Sequence, residues 1–240
     1  MIPRITTEQM IEVDRLMIEV YKIELIQMME NAGRCLALTA KRHFFRGEIP
    51  EKKLIVLAGT GGNGGGAMVA ARRLASWGAK VEVYLTSVEK LTPIPRHQYE
   101  ILLNMGIAVK AGEIPSDDVK ADLILDGIIG YSLRGNPRGI AKQMIKWAND
   151  HQAPILALDT PSGISLTEGE IFDPVIHAEA TLTLALPKVG LFREEVKLIR
   201  GALYLGDISV PPELYAQSSL GIELGPIFGK DDVLRIEPLA

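Results

Sequence analysis

A single cysteine, Cys35, stands in 240 residues, which excludes an intrachain disulfide and a cysteine cage for a metal. It sits among Leu36, Ala37 and Leu38, the setting of a buried inert thiol rather than of a nucleophile. Excess basic charge is also missing: 26 Lys and Arg against 30 Asp and Glu give a formal net charge of -4, so nothing draws the chain to nucleic acid or to an acidic membrane. No apolar run approaches the length that spans a bilayer. The N-terminus lacks a charged segment followed by an apolar core, and the expected compartment is the cytoplasm. The four histidines, His43, His97, His151 and His177, have no pairwise spacing suited to zinc. What remains is small-molecule chemistry, in a chain whose 47% hydrophobic content supplies the core of one α/β domain over residues 1–240.

Periodicity orders the elements. Thr6 followed by Gln9 forms a capping-box pattern ahead of Met10, Ile11, Val13, Met17 and Ile18 at helical spacing, which predicts an N-terminal helix. A second helical stretch runs from Leu25 to Phe45. Strands are predicted at Lys53 to Ala58, Val81 to Leu85, Ala108 to Lys110, Leu123 to Leu125, Ile155 to Leu158, Ala180 to Leu186 and Ala202 to Leu205, with an irregular tail after Pro211-Pro212. Helices at Gly66 to Trp77, Gln98 to Asn104 and Gly139 to Asp150 alternate with the early strands. That pattern indicates a Rossmann-like, doubly wound, mostly parallel sheet with helices on both faces.

The most informative run is Leu54 to Leu74, in which an apolar strand feeds Gly59-Thr60-Gly61-Gly62-Asn63-Gly64-Gly65-Gly66 and then a helix. Backbone N–H groups at a helix start, free of Cβ atoms, make an anion site. The run satisfies G-x-G-x-x-G, yet the following strand ends Tyr84-Leu85-Thr86-Ser87, without the acidic residue that holds ribose hydroxyls in dinucleotide-dependent dehydrogenases. No Gly-Lys-Ser/Thr closes the run, which argues against a Walker loop. Two further polar clusters follow predicted strands: Asp126-Gly127-Ile128-Ile129-Gly130-Tyr131-Ser132-Leu133-Arg134-Gly135 and Asp159-Thr160-Pro161-Ser162-Gly163. Parallel strands bring their carboxyl ends to one edge, so Asn63, Asp126, Asp159 and Ser162 are expected in one crevice. Asn63, Asp126 and Ser162 offer hard oxygen ligands with one negative charge among them, which suits a monovalent cation or water better than Mg²⁺ or Ca²⁺.

These motifs, in this order, resemble the NAD(P)H-hydrate epimerase family, also called the YjeF N-terminal domain family. The opening Thr7-Glu8-Gln9-Met10 and Met29-Glu30-Asn31-Ala32-Gly33, the Asp126 and Asp159 motifs, and the closing Thr181-Leu182-Thr183-Leu184, Pro187-Lys188-Val189-Gly190 and Gly206-Asp207-Ile208 all carry the likeness. The resemblance implies potassium bound by Asn63, Asp126 and Ser162. It also implies that Gly62, Asn63, Gly64, Gly65 and Gly66, the loop Gly130, Tyr131, Ser132, Leu133, Arg134 and Gly135, and Asp159 bind hydrated NADH or NADPH, in a chain that forms a homodimer. Two departures stand out. Where the family usually has Asn-Asn-Gly-Gly-Asp-Gly this chain has Gly62 to Ala67, and Gly130-Tyr131-Ser132-Leu133 replaces the usual Gly-Thr-Gly-Leu.

The implied reaction exchanges the hydroxyl-bearing face of C6, next to a ring nitrogen, and needs proton transfer but no redox step. Asp159 is the candidate catalytic acid/base. The alternative is a non-catalytic nucleotide- or protein-binding module of the same fold.

Overall fold

Alternating side chains along the strands divide the core between two helical layers. The computed structural model describes residues 2–131 and 133–236. In β1 (Lys53–Ala58), Leu54, Val56 and Ala58 face one layer while Ile55 and Leu57 face the other. On the first face pack α2 (Leu25–Thr39), α3 (Gly62–Ser76) and α4 (Pro93–Asn104). On the second, α5 (Gly139–Asp150) brings Met144, Ile145, Trp147 and Ala148.

The other strands are β2 (Lys80–Leu85), β3 (Ala108–Ala111), β4 (Leu123–Gly127), β5 (Ile155–Leu158), β6 (Ala180–Leu184), β7 (Ala202–Gly206) and β8 (Val233–Arg235). They form one sheet in the order β3-β2-β1-β4-β5-β6-β7-β8. All pairings are parallel except that of β7 with β8. The strand order reverses between β1 and β4, the place where open α/β sheets leave a crevice beyond their carboxyl ends. Leu57 pairs with Asp126, and Asp126 with Ala157, so the three central strands end level with one another.

Several boundaries differ from those expected. Asp126 lies inside β4 rather than after it. Helix α3 begins at Gly62 instead of Gly66, making most of the glycine run a helical first turn rather than a loop. Packing accounts for this. A Cβ on Gly65 would collide with Met29 of α2, and one on Gly66 would stand 2.7 Å from Leu158 Cδ2. The second helical stretch turns into a π-helical segment, Ala40–Phe44. Strand β6 stops at Leu184 because Ala185 adopts φ +60, closed to extended pairing. Helix α6 (Glu194–Arg200) precedes β7, and a short helix α7 (Pro212–Tyr215) and strand β8 organise the tail that reads as irregular in sequence.

Helix α1 (Thr7–Glu19) starts with the expected capping box: Gln9 N–H donates to Thr6 Oγ1 at 3.2 Å, and Thr6 N–H donates to Gln9 Oε1 at 2.9 Å. Its Met10, Val13, Leu16 and Met17 pack against Ile208, Leu214 and Tyr215. Just before it, Ile5 is clamped beside Lys188, donating to Pro187 O and accepting from Val189 N–H, each at 2.9 Å. The N-terminal segment is therefore stitched to the sheet's carboxyl edge. No helix among the described residues is long and apolar enough to cross a membrane.

Candidate active site

Strand alternation sends Asp126 to the same side as Ile124, where it is fully buried. Three donors meet its carboxylate: Ser162 Oγ at 2.6 Å, Ser162 N–H at 2.8 Å and Ile128 N–H at 3.1 Å. Ser162 Oγ also accepts from Ile129 N–H at 2.9 Å. Gly163 makes this corner possible, since at φ +115 a Cβ would lie 2.6 Å from Val175 Cα. Burial pushes the Asp126 carboxyl up to about 6, against hydrogen bonds from Ser162 and Ile128 that act the other way. No Lys or Arg is paired with it among the described residues. A buried carboxylate without a cationic partner is costly, and its contacts are the Ser162 hydroxyl and the backbone N–H groups of Ser162 and Ile128. Among the described residues there is no group of three His, Cys, Asp or Glu that could hold a metal ion.

Asn63, in the first turn of α3, donates from Nδ2 to Leu158 O at 2.8 Å and so ties the helix start to the end of β5. Its amide lies against Gly130, where a Cβ would come within 2.7 Å of Asn63 Oδ1. Between the β1–α3 turn and the loop after β4 opens a cleft of about 370 Å³, walled by Thr60 to Gly64 and Ile128 to Tyr131. The N–H groups of Gly62, Asn63 and Gly64 belong to the first turn of α3, where no preceding turn accepts them. Such a helix start favours an anion.

A second, mostly apolar cavity of about 110 Å³ adjoins the cleft, sharing Gly62, Asn63 and Tyr131 with it. Its polar centre is Asp159, held at the tip of β5 with φ +63, a conformation that costs on the order of 1 kcal/mol and recurs at functional sites. Lys188 Nζ donates to Asp159 Oδ1 at 2.5 Å and to Leu184 O at 3.0 Å, with both charged side chains almost wholly buried. To the same cavity α1 contributes Asp14, which accepts from Tyr131 OH at 2.9 Å. Burial raises the Asp14 carboxyl above its ordinary range, the Tyr131 hydrogen bond and Lys188 lower it, and Asp159 raises it further.

Asn63, Asp126, Asp159 and Ser162 thus stand at one sheet edge but not in one crevice: Asn63 and Asp159 line the apolar cavity, while Asp126 and Ser162, hydrogen-bonded to each other, are fully buried and line neither cavity. Gly62, Gly64, Gly130 and Tyr131 wall the cleft. Gly65 and Gly66 are packed beneath it against Met29 and Leu158. Leu133, Arg134 and Gly135 lie on the wall of neither cavity, with Arg134 exposed, and Ser132 falls outside the described residues. Sequence reasoning did not assign roles to Lys188 or Asp14. The available signals were a lysine in the apolar segment Pro187-Lys188-Val189 and an aspartate between Val13 and Met17 on the apolar face of α1.

A bacterial relative from Dehalogenimonas lykanthroporepellens, named NAD(P)H-hydrate epimerase, is 38% identical over 90% of this chain and 86% of its own length. A Moorella thermoacetica protein named bifunctional NAD(P)H-hydrate repair enzyme Nnr is 34% identical over 88% of this chain, which spans 41% of that longer protein. The crystal structure of yeast ynu0 has the same fold, with a TM-score of 0.81, 24% identity and coverage of 98% of this chain and 100% of that one. With the family model described as YjeF-related protein N-terminus matching residues 25–190, this chain belongs to that family.

Proposed function

We propose that this protein interconverts the C6 epimers of hydrated NADH and hydrated NADPH, a repair isomerisation without a redox step. The observation that carries this reading is the 38% identity, over nine-tenths of the chain, to a relative named NAD(P)H-hydrate epimerase. The site's division into two parts supports it. A cleft bordered by helix-start N–H groups suits the nucleotide's phosphates, and the adjoining apolar cavity suits the modified ring. In this reading Gly62, Asn63 and Gly64 take phosphate oxygens through backbone N–H groups, and Gly130 and Tyr131, which wall the cleft, border the rest of the nucleotide. Asp159 is the catalytic residue beside C6, and Lys188 supplies the positive charge that its buried carboxylate requires.

Loss of the C6 hydroxyl as water is assisted by the lone pair of the neighbouring ring nitrogen. The protein's task is to deliver and accept a proton and let water return to either face. Potassium held by Asn63, Asp126 and Ser162 would offset the buried Asp126 carboxylate and stabilise the corner that positions the cleft. A homodimer is the proposed assembly, supported by exposed apolar residues on and just after α1, Ile11 and Val20 among them. The single buried cysteine suits the cytoplasm.

The test is to incubate one purified C6 epimer of hydrated NADH, and separately of hydrated NADPH, with the protein in potassium buffer and follow the other epimer chromatographically. Acceleration over buffer is expected. Interconversion at the buffer rate, with nucleotide binding retained by calorimetry, would replace the enzyme with the non-catalytic binding module.

A further inference from the structure

Epimerisation through loss and return of water has two proton transfers on opposite faces of one ring, and the cavity holds two carboxyl groups in unlike settings. Asp159 comes from the tip of β5 and is ion-paired to Lys188 at 2.5 Å. Asp14 comes from α1 and shares the cavity wall. Its side chain projects from the face that otherwise carries Met10, Val13 and Met17, and its one hydrogen bond among the described residues is from Tyr131 OH at 2.9 Å. An acid on the apolar side of a helix, with no cation paired to it, is an expensive arrangement unless the group acts in the cavity it faces.

We infer that Asp14 is a second catalytic residue, the general acid that protonates the departing C6 hydroxyl, while Asp159 takes a proton from the water that returns on the opposite face. This rests on the epimerase reading. In the first step the C6–O bond breaks, the ring-nitrogen lone pair forms a C=N bond, and the Asp14 carboxyl proton leaves with the hydroxyl as water. In the second, water adds to C6, the C=N electron pair returns to nitrogen, and the surplus proton passes to Asp159. Atoms and electrons balance without a co-reactant, and return of the proton from Asp159 to Asp14 through water restores the starting enzyme for the next turnover in the same direction. In the reverse direction the two carboxyl groups exchange roles, so one shared proton serves both directions.

The groups acting on Asp14 come from four elements: Tyr131 after β4, Asp159 after β5, Lys188 after β6, and Tyr215 of α7. Tyr131 is the positioning residue. Its hydroxyl favours the ionised form of Asp14, so removing it should let Asp14 keep its proton to higher pH.

The experiment measures epimer interconversion by the full chain, in both directions, across pH. Asp14→Asn is expected to lower kcat by about 100-fold or more with KM little changed. Tyr131→Phe should move the alkaline limb of kcat/KM to higher pH in both directions. Circular dichroism and thermal melting establish the folded concentration of each variant. If Asp14→Asn does not fold, the limb of Tyr131→Phe decides alone. A folded Asp14→Asn within about threefold of wild-type kcat, or an unmoved limb in Tyr131→Phe, overturns the role of Asp14 while leaving the epimerase reading intact. Failure of the wild type to outpace buffer overturns the reading itself, and this inference with it.

Discussion

Replacing Lys188 by Met removes one charge from a pair that water hardly reaches, the two side chains being 1% and 3% exposed. Methionine fills nearly the same volume, so the perturbation is electrostatic rather than a cavity. The Asp159 carboxylate is left buried without its cation, and Leu184 O loses the donor now at 3.0 Å. Breaking a buried pair in this way costs about 3–5 kcal/mol. In a chain of this size roughly 2–4 °C of melting temperature is lost per kcal/mol, so Lys188→Met should melt roughly 6–20 °C below wild type. Asp159→Leu should fall by a similar amount, because it strands the ammonium instead. The double variant Asp159→Leu, Lys188→Met has no buried charge to strand and should recover most of the loss, giving a coupling energy of several kcal/mol in a double-mutant cycle. The assay is thermal and urea unfolding of the four proteins at neutral pH. Single variants within about 1 kcal/mol of wild type, or a double variant whose loss equals the sum of the singles, would refute the account of a mutually dependent buried pair.

Asp126→Asn should abolish the rise in melting temperature that potassium gives the wild type, a gain of about 2.7 kcal/mol when the cation is at a hundred times its dissociation constant; an equal response in both proteins, measured against sodium, counts against the site. Gly33→Ala should destabilise the fold by driving a Cβ to 2.5 Å from the Gly66 backbone oxygen, whereas Gly62→Ala, whose Cβ meets nothing within 4 Å, should leave stability near wild type and weaken nucleotide binding, as melting and calorimetry can separate. Asp159→Asn should fold with a lowered melting temperature and lose about 10²- to 10⁴-fold in epimer interconversion at matched folded concentration; turnover near wild type would reduce Asp159 to a structural residue.

The sheet was legible because its strands are apolar on both faces and bounded by turn residues, so Lys53–Ala58 and Ile155–Leu158 have the expected limits. Three-residue β8 was not, since Val233, Leu234 and Arg235 carry no periodicity and gain their place by pairing with β7. The shared sheet edge of Asn63, Asp126, Asp159 and Ser162 followed from topology alone, although Asp126 and Ser162 are buried and line neither cavity. The partners of those residues did not, because periodicity says which face a side chain occupies and not what crosses the sheet edge to meet it. Lys188 reaches Asp159 through a chain segment that Ile5 holds in place, and Asp14 meets Tyr131 only once α1 is docked over the loop.

The glycine run shows where the ambiguity is physical rather than a matter of missing information. Lack of a Cβ serves two different ends, close approach of a ligand to backbone N–H groups and close approach of one element to another, and the letters of the sequence are the same for both. The structure divides them. Gly62 faces open space at the cleft, while Gly65 and Gly66 admit α2 and the end of β5 against α3. Since these packed glycines follow within one turn of the helix start, the contacts that seat α3 also set where its N–H groups point. Packing and binding are therefore coupled through the same turn. A substitution at Gly66, where the family usually carries aspartate, acts first on the Leu158 contact and only through it on Asn63, whose amide is fixed by the Leu158 carbonyl.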